Sequence, residues 1–458
     1  MMMDQTSDFI EGPQHDGSEH GAPNQPDAEM VTKTKLSDIN IDCQERVFKH
    51  LDLLDLLNIA DSSKQFKTAA DLVFAKKFGN ERVNVVYIQP YRKQCGKVDE
   101  TVEWIHSAKT CLQVFRNFGH LITVLEFGPA NVLEKTHLKE SFSLLYKFAI
   151  EYINEYCAES LTEFLIHQCP KGFLKYLKPL PNVSTVEIES FGFEGQSKDS
   201  LKTLFPKLNR LIYIDFNQSL GIIENHFPHL EHFCVRRGSG HGIVPWDNIS
   251  PAVLDSNPQL RTLFCFDIGP GVNVLRSMER LQHLEELQLI WDMKFVTPRN
   301  EFNGEIFRFR TVKILGILFM NPERTPSCKL PKIPFSFDQL KKCTIDVKKC
   351  CPAELYNFFD HNPTIVELYL CIVWNTLNLS AIAKALPSLR IFKLTSHAKL
   401  TKKDIIDFVN SLKFLKNANF VIRDHDSSKE LMESFDNGWQ ASIEMVGKWT
   451  ILTLERSD

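Results

Sequence analysis

From Leu161 onward the apolar positions recur in one phrase: an apolar residue, two others, a second apolar, one other, a third. It is cleanest in LEELQL, where it falls on Leu284, Leu287 and Leu289. Before that it occupies Leu161-Phe164-Ile166, Val183-Val186-Ile188, Leu208-Leu211-Tyr213, Leu230-Phe233-Val235 and Leu260-Leu263-Cys265. After it come Val312-Leu315-Ile317, Leu340-Cys343-Ile345, Ile365-Leu368-Leu370, Leu389-Phe392-Leu394 and a faint last member, Leu415-Ala418-Phe420. Ile122-Leu125-Phe127 precedes the set, and RVNVVYI, from Arg82 to Ile88, reads as a strand that begins the stack. The last two apolar positions of each phrase alternate, which is the period of a strand with one buried face. Between phrases lie helical stretches such as DSLKTLF, NVLRSMERL, AELYNFF and SAIAKAL, and Pro turns (FPKL, FPHL, NPQL, NPTI, LPSL) introduce many of the phrases.

The phrases follow one another at intervals of about 22 to 30 residues, and a strand plus a helix at that period resembles the leucine-rich repeat. The fold class expected is therefore α/β: a leucine-rich repeat solenoid over residues 79–458, with parallel strands on a concave face and helices on the convex face. Cys169 stands at the family's polar turn position after Leu161, but most repeats lack that residue, so the repeats are degenerate. KWTILTL, Lys448 to Leu454, reads as a final strand covering the last repeat.

Strand parity also says which side chains leave the core. Glu163, Glu187 and Glu189 face outward in the early repeats, followed by Arg210, His232 and Arg236. Ile212, Ile214, Phe264, Phe266, Ile290, Ile314 and Leu318 then form an apolar stripe, and Lys342, Asp346, Glu367 and Lys393 return to charge. Single exposed apolar groups are ordinary, but a stripe across neighbouring strands marks a contact surface. Arg210, Ile212, Ile214, Phe264, Phe266, Ile290, Ile314 and Leu318 are thus expected to bind a protein substrate.

The chain begins differently. Residues 1–35 are rich in Asp, Glu, Gly, Pro, Gln and Ser and are expected to be a disordered acidic tail. Residues 36–78 then pack three short helices together. Cys43 to Leu51 places Val47, Phe48 and Leu51 on one face. Asp52 is positioned to cap a second, leucine-dense helix, and Ser62 or Ser63 to cap a third. Three helices in so short a span make a small core, so some of these apolar groups are expected to face the next domain or a partner.

This stretch resembles the F-box. Ile39-Asn40 stands in the family's Leu-Pro place, VFKHL (Val47 to Leu51) matches its Ile-Phe-x-x-Leu, DLLNIA (Asp55 to Ala60) its second helix, and SKQF (Ser63 to Phe66) its last step. The departure is Asn40, where the usual proline pre-sets the entry of the first helix. The resemblance implies a non-catalytic substrate receptor of a cullin-based SCF ubiquitin ligase. Its module binds a Skp-type adaptor, and through it the cullin scaffold, by Ile39, Asn40, Val47, Phe48, Leu51, Leu56, Leu57, Ile59 and Phe66. The alternative is a leucine-rich repeat interaction scaffold without a ubiquitin role, in which Ile39 to Phe66 only cap the repeats.

Composition narrows this picture rather than changing it. Net charge is −4 with 43% apolar residues, so nothing points to nucleic acid. No apolar run is long enough to span a membrane, and the first residues lack the pattern of a signal peptide. The twelve cysteines include the adjacent Cys350 and Cys351 but no CxxC pair, which argues against zinc and for a reducing compartment, cytoplasmic or nuclear. GSGHG, Gly238 to Gly242, lacks the GK[ST] of a phosphate loop, and Pro228 interrupts the His226, His229, His232 series. The four lysines of KKCTIDVKK read as a solvated edge. No catalytic residue, metal or cofactor is expected.

Overall fold

The computed structural model describes residues 35–79, 82–86, 108–128, 147–166, 173–189, 200–215, 225–237, 251–266, 272–292, 305–320, 333–347, 352–373, 377–398, 400–423, 435 and 438–456. The acidic tail up to residue 34, GSGHG, and the Cys350-Cys351 pair lie outside them, as does the side chain of Glu189.

Three α-helices come first among the described residues, each started by a side-chain cap. In α1 (Ile41–Phe48) Asn40 accepts a hydrogen bond from the Cys43 amide at 2.9 Å. In α2 (Leu53–Ser62) Asp52 accepts from Asp55 at 2.9 Å, and in α3 (Lys64–Phe78) Ser63 accepts from Gln65 at 3.2 Å. Each cap satisfies one amide that a helix start would otherwise leave open. The first helix begins two residues earlier than its apolar periodicity suggests because Asn40 caps it. Asn40 also lies at φ −64°, ψ 160°, a φ that a proline ring would impose. It supplies the same entry geometry and adds a cap that proline lacks. Buried Gln44 ties the preceding turn down, its Nε2 donating to the Leu36 and Ile39 carbonyls.

Beyond α3 the chain carries α4 (Ala108–Phe118) and is otherwise dominated by strands. In order they are β1 (Arg82–Val86), β2 (Val124–Gly128), β3 (Glu163–Ile166), β4 (Thr185–Glu189), β5 (Arg210–Asp215) and β6 (His232–Arg237). Next are β7 (Thr262–Cys265), β8 (Glu286–Asp292), β9 (Phe307–Phe309), β10 (Ile314–Met320), β11 (Phe335–Phe337) and β12 (Lys342–Val347). The last are β13 (Glu367–Ile372), β14 (Ile391–Ser396), β15 (Asn417–Arg423), β16 (Trp439–Val446) and β17 (Trp449–Arg456).

Among the described residues fifteen of these strands form one sheet. Its order is the order of the sequence except that β9 and β11 are left out and β17 precedes β16 at the end. Every pairing from β1 to β15 is parallel, whereas β17 joins β15 antiparallel and turns back into β16. Gly447, at φ 64°, makes that tight return, a backbone conformation costly to any residue with a Cβ.

The residue before each strand holds the register. Glu285 and Glu286 both donate their amides to the Arg261 carbonyl. Lys313 and Ile314 donate likewise to Glu285, and Lys341 and Lys342 to Lys313, all between 2.8 and 3.1 Å. Because the sheet strands from β3 to β15 enter by the same pair of bonds, Phe233, Leu263, Leu287, Leu315, Cys343, Leu368 and Phe392 fall into one row across the sheet. All are buried.

Short helices return between strands at Ser200–Leu204, Pro251–Asp255, Val272–Glu279, Pro352–Asp360, Leu379–Ala385 and Lys402–Ser411. The expectation of a helix in each interval differs from the structure on either side of β10. There the described spacers carry β9 and β11, which pair with each other in parallel. The sequences FRF and FSF alternate, so both phenylalanines of each turn inward and stack, Phe309 on Phe337 at 5.1 Å.

Two of the Pro turns hide a second device. Asn257 and Asn362 are fully buried. Asn362 accepts from the Phe337 amide at 2.7 Å and donates to the Phe335 and Phe358 carbonyls. Asn257 does the same for Phe227, Asn225 and Val253. Each amide satisfies backbone of the preceding segment as well as its own helix end.

Candidate functional site

The helical module and the outer sheet face are the two surfaces the sequence singles out. In the module, Phe48, Leu56 and Leu57 are closed inside the three-helix core, Phe48 meeting Phe66 edge-on at 5.9 Å. As folded they build the module rather than its surface. This corrects their assignment to the contact face: in so small a bundle the largest groups are the ones that fill the centre. Leu51, Ile59 and Phe66 pack partly against the same core, and Ile39 is half-buried. Asn40 is exposed but spends its side-chain oxygen on the cap. Val47 is the expected residue that does project, 49% exposed. Pattern reading passed over Ile41, Leu54 and Leu72, large apolar groups with 39–52% exposure. The available signal was that α2 is apolar around most of its circumference, more than one core can cover.

The module does not hang freely. Phe74 of α3 stacks on Phe118 of α4 at 4.3 Å. Asn117 donates to Asp61 at 2.9 Å, while its carbonyl accepts from Lys67 at 2.7 Å. Thr123, just before β2, donates to the Gly79 carbonyl at 2.6 Å. The buried side chains of the module and of the sheet form one continuous cluster. A surface on α1–α3 therefore keeps a set position relative to the first strands.

The outer face of the sheet has three rows, fixed by register. The first runs Arg210, His232, Thr262, Glu286, Ile314, Lys342, Glu367. The second runs Glu187, Ile212, Cys234, Phe264, Gln288, Gly316, Thr344, Tyr369, Lys393. The third includes Ile214 beside Arg236, and Ile290 beside Leu318 and Asp346. Phe266 continues the third row past the end of β7, its amide bonding the Val235 carbonyl at 2.9 Å.

The stripe is brought together, with one correction. Ile212 is only 8% exposed and its neighbour Cys234 only 5%, so the β5–β6 end of the middle row is covered. Parity assigns a face but not its exposure. Burial accordingly holds the Cys234 thiol above its ordinary pKa, against the opposing influence of Arg236. Phe264, Phe266, Ile290, Ile214 and Leu318 remain partly exposed, and Ile314 is 37% exposed. Phe264 and Phe266 meet edge-on at 6.3 Å, and the Arg236 guanidinium lies over the Phe266 ring at 5.1 Å. Farther along, Lys342 and Lys393 lie over Tyr369 at 5.3 and 5.0 Å.

At the entry edge of the strands a polar cleft of about 380 Å³ is lined by Glu231, Gln259, Arg261, His283, Glu285 and Lys313 among others. Its central groups already neutralise one another. Lys313 and Arg261 both bind Glu285, at 3.1 and 3.3 Å, and hold its carboxyl below the usual range. Such an ion-paired carboxylate is a poor general base at neutral pH. His226 and His232 are engaged within the sheet region, with the Ser256 carbonyl at 2.7 Å and the Thr262 hydroxyl at 2.8 Å. Among the described residues no group of three or more His, Cys, Asp or Glu is arranged to hold a metal ion. No described helix is long and apolar enough to cross a membrane.

No curated protein matches the chain. The family model of the F-box domain matches residues 36–76, less than a tenth of the chain but nearly all of the capped three-helix module that docks on α4.

Proposed function

We propose that this chain is the substrate receptor of an SCF-type E3 ubiquitin ligase in the cytoplasm or nucleus. Residues 36–78 bind a Skp-type adaptor and through it the cullin scaffold. The in-order sheet, read as a degenerate leucine-rich repeat solenoid, holds a protein substrate on its outer face. The single observation that carries this reading is the F-box match over residues 36–76. The chain contributes no chemistry: it raises the effective concentration of the substrate's lysines near a ubiquitin carrier held elsewhere in the assembly. The joint between Asp61, Lys67 and Asn117 supports this role, because a receptor that positions its cargo needs a stiff connection to the scaffold.

The adaptor surface proposed comprises Val47 with Ile41, Leu54 and Leu72, supported from beneath by Phe48, Leu56 and Leu57. The substrate surface comprises Arg210, Ile214, Phe264, Phe266, Ile290, Ile314 and Leu318, with Ile212 as their buried support. Full-length protein co-expressed with a Skp-type adaptor and a cullin should purify with both. Val47→Asp together with Leu54→Asp should abolish that capture with little change in the unfolding midpoint, because about half of each side chain is already exposed to water.

One observation favours a second reading, a repeat scaffold whose helical module only caps the sheet: Phe74 is committed to Phe118 rather than to a separate core. In that case neither adaptor nor cullin co-purifies.

A further inference from the structure

Gly316 interrupts the middle outer row. Each neighbour along that row, from Ile212 on β5 to Lys393 on β14, places a side chain there, and β10 places none. Nothing in the fold calls for this gap. The positive-φ glycines of the described chain are Gly438 and Gly447, so the backbone of Gly316 is open to any residue. A Cβ added to it would meet nothing closer than the Gln288 Cγ at 3.4 Å, an ordinary contact with a flexible side chain. Glycine inside a strand weakens it, and it is often kept at a bulge, at a bend or where a ligand or another backbone approaches closely.

Within the row the gap lies between Gln288 and Thr344, and apolar groups surround it above, below and diagonally. Ile314 and Leu318 flank it on the same strand, Ile290 pairs with Leu318, and Phe264 lies beyond Gln288. On the β5–β6 side the stripe ends at two cations. Arg236 is held over the Phe266 ring, and neither it nor Arg210 forms an ion pair with a carboxylate among the described residues, whereas Arg261, Arg276, Arg280 and Arg308 each do.

Building on the reading of this face as the substrate surface, we propose that its ligand is an extended polypeptide segment crossing the strands. One large aliphatic or aromatic side chain seats over Gly316, and carboxylates meet Arg236 and Arg210. From β10 to β6 is three strand spacings and to β5 four, about 14 and 19 Å at ~4.8 Å each. The carboxylates therefore stand about four to six residues from the anchor in an extended chain rising ~3.4 Å per residue. The aromatic groups supply buried area, and the arginines set direction and exclude basic segments.

The test uses the full-length chain and fluorescein-labelled Gly/Ser peptides carrying one leucine and a Glu pair at that spacing. Companion peptides carry Lys in place of Glu, or lack the leucine. Fluorescence polarisation should show the Glu peptide binding about tenfold more tightly than either companion. Arg210→Glu with Arg236→Glu should reverse the preference toward the Lys peptide. Gly316→Val should weaken the leucine peptide about tenfold while leaving the unfolding midpoint equal or higher, since a β-branched residue suits a strand. Gly316→Ala should fall between. Binding no better than plain Gly/Ser peptide, indifference to Gly316→Val, or an unchanged charge preference each overturns the proposal. Adaptor capture is scored separately. Capture without peptide binding sinks this inference alone, and peptide binding without capture sinks the ubiquitin-ligase reading while the site stands.

Discussion

The helical module and the sheet are stabilised in opposite ways, though their cores touch. In the module three helices share one small centre, and Phe48, Leu56, Leu57 and Phe66 all contribute to it. In the sheet each strand from β2 to β15 bonds two neighbours and no more, and the same entry bonds repeat along it. A loss in the module is felt by all of it. A loss in a quasi-one-dimensional array is felt chiefly by the adjoining strands. The difference suits the proposed division of labour, since the module must keep a single shape for one partner while the array presents a long surface.

The sharpest way to break this comparison is Phe48→Ala. Truncating a fully buried phenylalanine costs about 3–5 kcal/mol, about the whole stability such a small core supplies. Hydrogen exchange should report residues 41–78 opening while the amides of β12–β15 stay protected. Simultaneous loss of protection across β12–β15 would mean that module and array unfold as one unit.

Asn362→Leu tests the other side. It leaves the Phe337 amide and the Phe335 and Phe358 carbonyls without their partner, an expected cost of about 1–3 kcal/mol. Exchange should rise around β11–β13, with α1–α3 unaffected.

The smallest effect is expected from Glu285→Gln. The carboxyl is held below its ordinary pKa by Lys313 and Arg261. A depressed folded-state pKa contributes stability above the unfolded value, and that contribution disappears as pH falls through the folded one. The side chain is 39% exposed, so solvent screening limits the contribution to about 0–1 kcal/mol. Urea midpoints of wild type and variant should differ slightly at neutral pH and converge in acid. A gap that widened in acid would reverse the sign.

Much of this molecule is legible from residue types. Leu284-Leu287-Leu289 and its counterparts predict strands with one buried face, and the sheet contains them in sequence order. Asp52 and Ser63 were readable as caps because their short oxygens suit helix starts. Asn40 was not, since it stands where another residue is customary and only its backbone angles reveal that it does the same work. FRF and FSF are too short to separate from loop. Asn257 and Asn362 look like ordinary turn residues until the preceding segment is brought against them.

The sequence by itself determined which side chains share a face, because strand parity and helical period follow from backbone geometry alone. It determined the F-box-like character of residues 36–76 and the repeat spacing. Only the tertiary structure decided what covers each face. Phe48, Leu56 and Leu57 point inward and Val47 and Leu54 outward because three helices leave one shared centre, and periodicity does not say which part of an apolar circumference will fill it. Ile212 and Cys234 are covered while Ile314 is open because exposure depends on neighbours brought together across strands, and Gly316 becomes a gap only when Gln288 and Thr344 stand on either side of it.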